Sequence, residues 1–206
     1  MVREDYSDGD PGSVLALTVF ALGQMASEGT SSQPKNAEVG FRSGFHGGCV
    51  ERPPGIELFC EARRRICFVT TPRTLENIQI LLLQGTYFEA NARHMDFWSC
   101  TASASAACEM LIRCKNFAWS SAAGEAIARA YWACVMGENV FRAEPGLPPL
   151  RLNALQDQVP LPYSTQTPES LDFRAPGDSL QVQLHFLAMI TLQRLIMRVQ
   201  DLDHRG

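Results

Sequence analysis

Residues 128–152, "ARAYWACVMGENVFRAEPGLPPLRL", are the stretch that decides how this sequence folds. Together with the residue before it, the stretch has apolar side chains at helical spacing, namely Ile127, Tyr131, Cys134 and Phe141. Glu138 stands within this stripe, where an apolar residue is expected. Burial of a carboxylate costs free energy unless the group is paired or hydrogen-bonded, so Glu138 needs an explanation.

Two interpretations of Glu138 are open. In the first, Glu138 forms a structural ion pair with Arg142, which lies four residues later on the same helix. Arg129 lies more than two turns earlier, so it would have to interact with a residue on another helix. In the second interpretation, Glu138 is a polar group at the edge of a ligand pocket. We favour the ion pair, because structural ion-pair networks are common in proteins.

Composition places the chain among ordinary globular proteins. The 206 residues are 46% hydrophobic and 19% charged, with a formal net charge of −4. The chain is therefore long enough to bury a core and not basic enough to hold nucleic-acid phosphates by charge alone. The seven cysteines are an odd number and form no C-x-x-C pair, which favours reduced, buried thiols over a disulfide framework.

The first residues do not indicate membrane attachment. Residues 1–12 form an acidic tail, whereas a secretory signal needs positive charge there. The apolar run 14–22 is too short to span a bilayer, so we predict a helix that is buried on nearly all sides.

Apolar periodicity and capping residues predict about six helices. We expect them over 14–27 with Ser13 as N-cap, 55–69, 74–90 capped by Thr74, 95–114, from Ser120 or Ser121 to Pro145, and 179–202 capped by Asp178. Period-two alternation between hairpin turns is absent. The sequence therefore predicts an all-α fold: one multi-helix domain over 13–206, with long Pro/Gly-rich connections at 28–54 and 145–177.

The same periodicity predicts which helix faces are buried. For the helix over 55–69 the predicted inner face is Ile56, Phe59, Cys60, Arg63 and either Ile66 or Cys67. For the helix over 74–90 it is Leu75, Ile78, Leu82, Tyr87 and Phe88. For the last helix it is Leu180, Leu184, Leu187, Thr191, Leu195, Val199 and Leu202.

Chemical sites are weakly indicated. His46 and Cys49 form one H-x-x-C pair, whereas a structural zinc site usually needs four ligands. Ser43 lacks the G-x-S-x-G spacing and preceding strand of a nucleophile elbow. Arginines 63–65 could touch nucleic acid, but three arginines on a helix are more often a solvated face with packed stems. We therefore predict no catalytic, cofactor-binding or metal-ligating residue.

The quoted helix resembles the signature helix of the fungal-specific transcription factor domain, the regulatory region downstream of the two-zinc, six-cysteine cluster in fungal regulators. Segments 21–27, 55–64, 74–90, 159–162 and 185–199 resemble other parts of that domain in the same order. The residues that carry the signature or its ion pair are Arg129, Tyr131, Trp132, Glu138, Arg142, Leu147, Pro148 and Pro149. The chain departs from the pattern at Ala128, where the family usually has a first arginine.

This resemblance implies control of transcription by RNA polymerase II in the nucleus, through a small-molecule effector or a regulatory protein. The zinc cluster itself is missing from the chain, so we expect a truncated or stand-alone regulatory domain that holds no cofactor and reaches DNA only through that separate module. The resemblance also allows a homodimer. The alternatives are a helical protein-interaction scaffold with no transcriptional role, or a small hydrolase-type enzyme with a thiol or hydroxyl nucleophile.

Overall fold

The computed structural model describes residues 10–31, 53–66, 74–141, 152–162 and 176–203. These residues form α1 (Pro11–Ser31), α2 (Ile56–Ile66), α3 (Leu75–Ala90), α4 (His94–Cys114), α5 (Ala122–Val140), a 3-10 helix (Leu152–Leu155) and α6 (Pro176–Asp203). No β-strand occurs within these ranges. The predicted all-α fold class is therefore confirmed.

The chain divides into two compact units, Met1–Ala107 and Cys108–Gly206, and the boundary falls inside α4. The expectation of one domain over 13–206 stays a prediction. The acidic tail and most of the two predicted connections lie outside the described residues.

The start of α1 is set by Asp10. Its carboxylate accepts hydrogen bonds from the backbone N–H groups of Gly12 (3.2 Å) and Ser13 (2.9 Å). Pro11 occupies the first helical position, where its missing N–H costs nothing. The prediction that Ser13 is the N-cap is therefore wrong. Ser13 is buried inside the helix, and its hydroxyl accepts a hydrogen bond from Arg65 at 3.0 Å.

One side of α1 is buried rather than its whole circumference. Val14, Thr18 and Ala21 are fully buried, whereas Val19 and Phe20 are 48% and 63% exposed. The prediction of a helix buried on nearly all sides is wrong, because α2 and α3 contact α1 along the face that carries Val14 and Thr18.

The core of the first unit joins α1, α2 and α3. Val14, Ala62 and Ile80 form one buried cluster. Phe59 of α2 stacks on Tyr87 of α3, with ring centroids 3.9 Å apart. Such aromatic pairs add to the stabilisation that area burial provides.

The predicted inner face of α2 is wrong in part. Phe59 and Ala62 are buried, but Cys60 and Arg63 are exposed. The small Ala62 side chain, which the pattern overlooked, lies in the cluster with α1 and so turns the neighbouring Cys60 and Arg63 towards water.

α3 follows its prediction more closely. The Thr74 side chain caps the helix by accepting from the backbone N–H of Asn77 at 3.4 Å. Ile78, Tyr87 and Phe88 are buried as expected, while Leu75 and Leu82 are half-buried.

The turn before α2 lies tightly against α1. Gly55 has φ +74°, a conformation that L side chains rarely adopt, and a Cβ there would collide with the backbone of Ala21. The hydroxyl of Tyr87 donates a hydrogen bond to the carbonyl oxygen of Pro54 at 2.9 Å. Backbone proximity and this hydrogen bond together hold the turn in place.

The middle helices match their predicted starts. α4 buries small residues, including Thr101, Ala104 and Ser105, as expected for a helix with close neighbours. α5 is capped by Ser121, whose side chain accepts from the backbone N–H of Gly124 at 3.1 Å. α5 ends at Val140, earlier than the predicted end at Pro145, which lies outside the described residues.

α6 begins at Pro176, so Asp178 lies inside the helix and the predicted cap is wrong. The predicted buried face is wrong as well. Ile190 and Met197 are buried, whereas the predicted core residues Leu184, Leu195 and Val199 are 57%, 54% and 66% exposed. Because α6 is apolar around most of its circumference, its periodicity could not indicate which face packs on α5.

The prediction of buried thiols holds in part. No disulfide joins the described cysteines; Cys108 and Cys134 are buried, but Cys60 and Cys114 are exposed. Cys49 and Cys67 lie outside the described residues.

Candidate functional site

The buried face of α5 is the centre of the candidate site. Ile127, Tyr131, Cys134 and Phe141 are all buried, as their spacing predicts. Glu138 lies among them and is only 2% exposed. The sequence pattern therefore located a carboxylate that is shielded from water within the second unit.

Tyr131 attaches the 3-10 helix to α5. Its side chain is fully buried, and its hydroxyl donates a hydrogen bond to the carbonyl oxygen of Leu152 at 2.8 Å. Burial raises the pKa of Tyr131 well above its usual value, and the nearby Cys108 and Glu138 raise it further. The phenol is thus held neutral and acts as a hydrogen-bond donor.

Trp132 attaches a second segment. Its indole N–H donates a hydrogen bond to the carbonyl oxygen of Pro160 at 2.9 Å. The Trp132 ring lies edge-on to Tyr131, with centroids 5.2 Å apart, and the guanidinium of Arg194 on α6 lies 5.8 Å from its centroid. The Tyr131–Trp132 pair therefore holds the chain on both sides of residue 156 and also contacts α6.

Arg129 forms an ion pair with Glu125, four residues earlier on α5. Glu125 is 8% exposed at its side chain, while the Arg129 side chain is 49% exposed. The expectation that Arg129 would have to serve another helix is therefore wrong. An acidic residue four positions before a basic one is a recognised helix-stabilising arrangement, so this pair could have been predicted from the sequence.

Four of the predicted site residues lie outside the described residues: Arg142, Leu147, Pro148 and Pro149. The pairing of Glu138 with Arg142 therefore stays a prediction. The charge of Glu138 contributes to the raised pKa of Tyr131.

Three residues that the sequence did not indicate link α5, α6 and the chain just after the 3-10 helix. The side-chain amides of Asn139 and Gln156 approach the sulfur of Met197 at 3.4 Å and 3.8 Å. These contacts join residues that are 58 and 41 positions apart in the sequence. Helical periodicity is a local signal and cannot identify such partners.

Arginines 63–65 all have partners within the first unit. Arg64 and Arg65 form ion pairs with Glu61 at 2.9 Å and 2.8 Å, and the hydrogen bond from Arg65 lowers the pKa of that carboxyl. Arg63 lies over the ring of Phe88, 5.3 Å from its centroid. These contacts support the interpretation that the arginine stems pack on the protein.

In the described residues, the candidate site consists of packed side chains that hold chain segments together. The described residues contain no group of three or more His, Cys, Asp or Glu side chains placed to hold a metal ion, and His46, Cys49 and Ser43 lie outside them. No helix within the described ranges has the length and apolar character needed to cross a membrane. The polar atoms of Tyr131 and Trp132 are engaged by backbone carbonyl oxygens, so the site is built to position chain segments.

Comparison with known proteins gave one match. A family model described as the fungal specific transcription factor domain matches residues 4–201, which is nearly the whole chain. Neither the curated proteins nor the solved structures gave a significant match.

Proposed function

Since the chain belongs to the fungal specific transcription factor domain family, we propose that it controls transcription by RNA polymerase II in the nucleus, in response to an effector or partner that binds it. The family is a regulatory domain of transcription factors rather than an enzyme family. The match over residues 4–201 is the observation that carries this proposal.

The packing of the signature residues supports a regulatory role for the second unit. Tyr131 and Trp132 each donate one hydrogen bond to a backbone carbonyl, at Leu152 and Pro160. A ligand or partner that displaces this segment would have to break both bonds and expose two large aromatic rings. The signature pair would then couple binding at the segment to the position of α5, which is how an effector biases a two-state element.

The buried carboxylate fits the same proposal. Glu138 is nearly inaccessible to solvent, and burial of a carboxylate costs free energy that an apolar residue would not. We propose that Glu138 keeps the signature region sensitive to charge, so that a change in the charge or in the partner of this carboxyl changes the packing around Tyr131.

A transcriptional reporter tests the proposal. The chain is placed between an unrelated DNA-binding domain and an activation domain in yeast, and its reporter output is compared with that of a flexible linker of equal length. We expect the reporter output of the chain to differ from that of the linker. Equal output from the chain and the linker would contradict the proposed role.

A matched pair of tryptophan variants locates the effect. Trp132→Phe removes the donor to Pro160. Trp119→Phe changes a half-buried tryptophan that lies before α5 and contacts Phe117. We expect Trp132→Phe to shift the reporter output and Trp119→Phe to leave it unchanged at equal protein level. An equal effect of both variants would remove the signature pair from the mechanism.

Zinc and DNA form a separate part of the proposal. We propose that the isolated chain holds no zinc and reaches DNA only through a separate module. Metal analysis of the purified chain should give well under one zinc per chain, and a generic DNA column should not retain it at physiological salt. Stoichiometric zinc or retention on DNA would refute this part. A tagged chain that forms only cytoplasmic complexes would favour the protein-interaction scaffold instead.

A further inference from the structure

The last turn of α2 concentrates positive charge. Arg63, Arg64 and Arg65 follow one another in that turn, and we call them the α2 arginine cluster. Arg64 and Arg65 share one carboxylate, that of Glu61, at 2.9 Å and 2.8 Å. Two guanidinium groups on one carboxylate leave a net positive charge, which attracts a further anion.

Arg64 has hydrogen-bond donors available for such an anion. Its side chain is 78% exposed, and its ion pair with Glu61 engages one guanidinium nitrogen. A guanidinium carries five N–H donors in a planar fork that fits a carboxylate. The chemistry of Arg64 therefore favours an occupant that carries carboxylates.

The start of α1 lies against the same cluster. Nη1 of Arg65 donates a hydrogen bond to the hydroxyl of Ser13 at 3.0 Å. The carboxylate of Asp10, three residues earlier, accepts a hydrogen bond from the backbone N–H of Ser13 at 2.9 Å. The chain that precedes Asp10 is therefore attached to the structure close to Arg65.

Residues 1–9 of the acidic tail carry the complementary charge. They contain one basic side chain, Arg3, and three acidic ones, namely Glu4, Asp5 and Asp8. The acids precede Asp10 by two to six residues. Since an extended chain spans about 3.3–3.6 Å per residue, these acids can reach Arg64, the neighbour of Arg65.

The other segments that adjoin α2 in the sequence do not carry this charge. Residues 67–73 follow α2 directly and contain Arg73 but no acidic residue. Residues 32–52, between α1 and α2, contain three Lys or Arg side chains and two acidic ones. Among these segments, charge complementarity favours the acidic tail as the occupant.

Attachment to α1 compensates for the weakness of the individual contacts. Exposed ion pairs stabilise little, and salt screens them. A short link between two binding groups gives an effective concentration on the order of millimolar, so weak pairs are sufficient for docking within one chain.

We propose that the acidic tail docks on the α2 arginine cluster of its own chain, with a carboxylate of Glu4, Asp5 or Asp8 on the guanidinium of Arg64. The docked tail covers an exposed arginine and lies beside the junction of α1 and α2. The proposal concerns the first unit alone and does not depend on the proposed transcriptional function.

Zero-length cross-linking of the full 206-residue chain tests the contact. Arg64→Lys places an amine in the cluster, and a water-soluble carbodiimide joins that amine by an amide bond to a carboxylate that touches it. The chain's own lysines are Lys35 and Lys115, so peptide mapping by mass spectrometry can distinguish the new amine. We expect it to couple to an acid of the tail, and we expect 1 M NaCl to reduce this coupling, because the screening length falls to about 3 Å.

The matched control is Arg113→Lys on α4. Arg113 is likewise exposed and likewise forms an ion pair with a glutamate of its own helix, Glu109, at 2.9 Å. Coupling to Glu61 or to Glu109 verifies in each variant that the new amine reacts. We expect no coupling between the Arg113→Lys amine and the tail.

Three cross-linking results would overturn the proposal. The first is equal coupling of the tail in the two variants. The second is coupling in Arg64→Lys that 1 M NaCl leaves unchanged, since proximity through the chain alone would explain it. The third is coupling of the tail only between two chains, which would appear as a covalent dimer.

Proteolysis provides a second measurement without a new amine. Trypsin cleaves after Arg3, next to the acids that the proposal places on the cluster. If the tail is docked at least half of the time, Arg64→Glu should raise the cleavage rate at least about twofold, because the cleavable fraction rises in proportion. Arg113→Glu should leave the rate unchanged, and circular dichroism verifies that both variants keep their helices. Equal rates for Arg64→Glu and the unchanged chain would overturn the docking.

Discussion

Removal of one hydroxyl group tests how the signature helix is held. Tyr131→Phe keeps the aromatic ring and deletes the donor to Leu152. Both residues are fully buried, so water cannot replace the lost partner of the carbonyl oxygen. The perturbation therefore isolates the hydrogen bond that ties the 3-10 helix to α5.

The matched control is Tyr87→Phe in the first unit. Its hydroxyl donates to Pro54 at 2.9 Å, but that bond is only partly buried, so water can satisfy the freed carbonyl. We expect a cost of about 2 kcal/mol for Tyr131→Phe and about 1 kcal/mol or less for Tyr87→Phe, since an unsatisfied buried acceptor costs more than a lost bond.

Chemical and thermal unfolding measure the two costs. Circular dichroism at 222 nm is followed against urea and against temperature at pH 7 for the unchanged chain and both variants. For a chain of this length, 2 kcal/mol corresponds to a fall of about 4–8 °C in Tm. A free-energy cost for Tyr131→Phe that is no larger than that for Tyr87→Phe would refute the claim that burial makes the Leu152 bond the stronger anchor.

Three further predictions concern local features of the fold. Gly55→Ala should destabilise the chain by about 2 kcal/mol or more in urea unfolding, because φ is +74° and the new Cβ would collide with Ala21. The control is Gly23→Ala, whose Cβ would have no atom within 4 Å and which should stabilise α1 by up to about 1 kcal/mol. Ser121→Ala should lower the free energy of unfolding by about 1 kcal/mol, because it removes the N-cap of α5, and Ser121→Asp should restore most of it. Stability should fall between pH 10 and pH 12, because burial raises the pKa of Tyr87 to about 12 and the unfolded chain loses this proton first. Burial also raises the pKa of Tyr131, so Tyr87→Phe should reduce the loss in urea midpoints across that range and leave the part that Tyr131 contributes.

Part of the candidate site was readable from local pattern. The stripe on α5 predicted a buried Tyr131 and Cys134 and located the carboxylate of Glu138 among them. These inferences succeeded because helix geometry brings residues three and four apart onto one face. The partners of Tyr131 and Trp132 were not predicted, since each hydrogen bond spans 21 or 28 residues of chain.

Helix caps, too, could be predicted from the sequence only in part. Thr74 was identified as a cap, and the start of α5 was placed at Ser120 or Ser121, because these residues stand directly before a helical pattern; the structure has Thr74 and Ser121 as the caps. At α1 the pattern suggested Ser13, but Asp10 begins the helix one turn earlier, with Pro11 in the first position. The contact of Ser13 with Arg65, 52 residues away, could not be inferred from the local sequence.

The sequence by itself determined that the chain is helical, where most helices begin, and which face of α5 is buried. Tertiary structure alone decided which face of α6 packs inward, through Ile190 and Met197, and which face stays exposed. The physical reason is that a hydrophobic stripe selects a face only when the rest of the helix is polar. α6 is apolar around most of its circumference, so its contacts with other parts of the chain decide which face is buried.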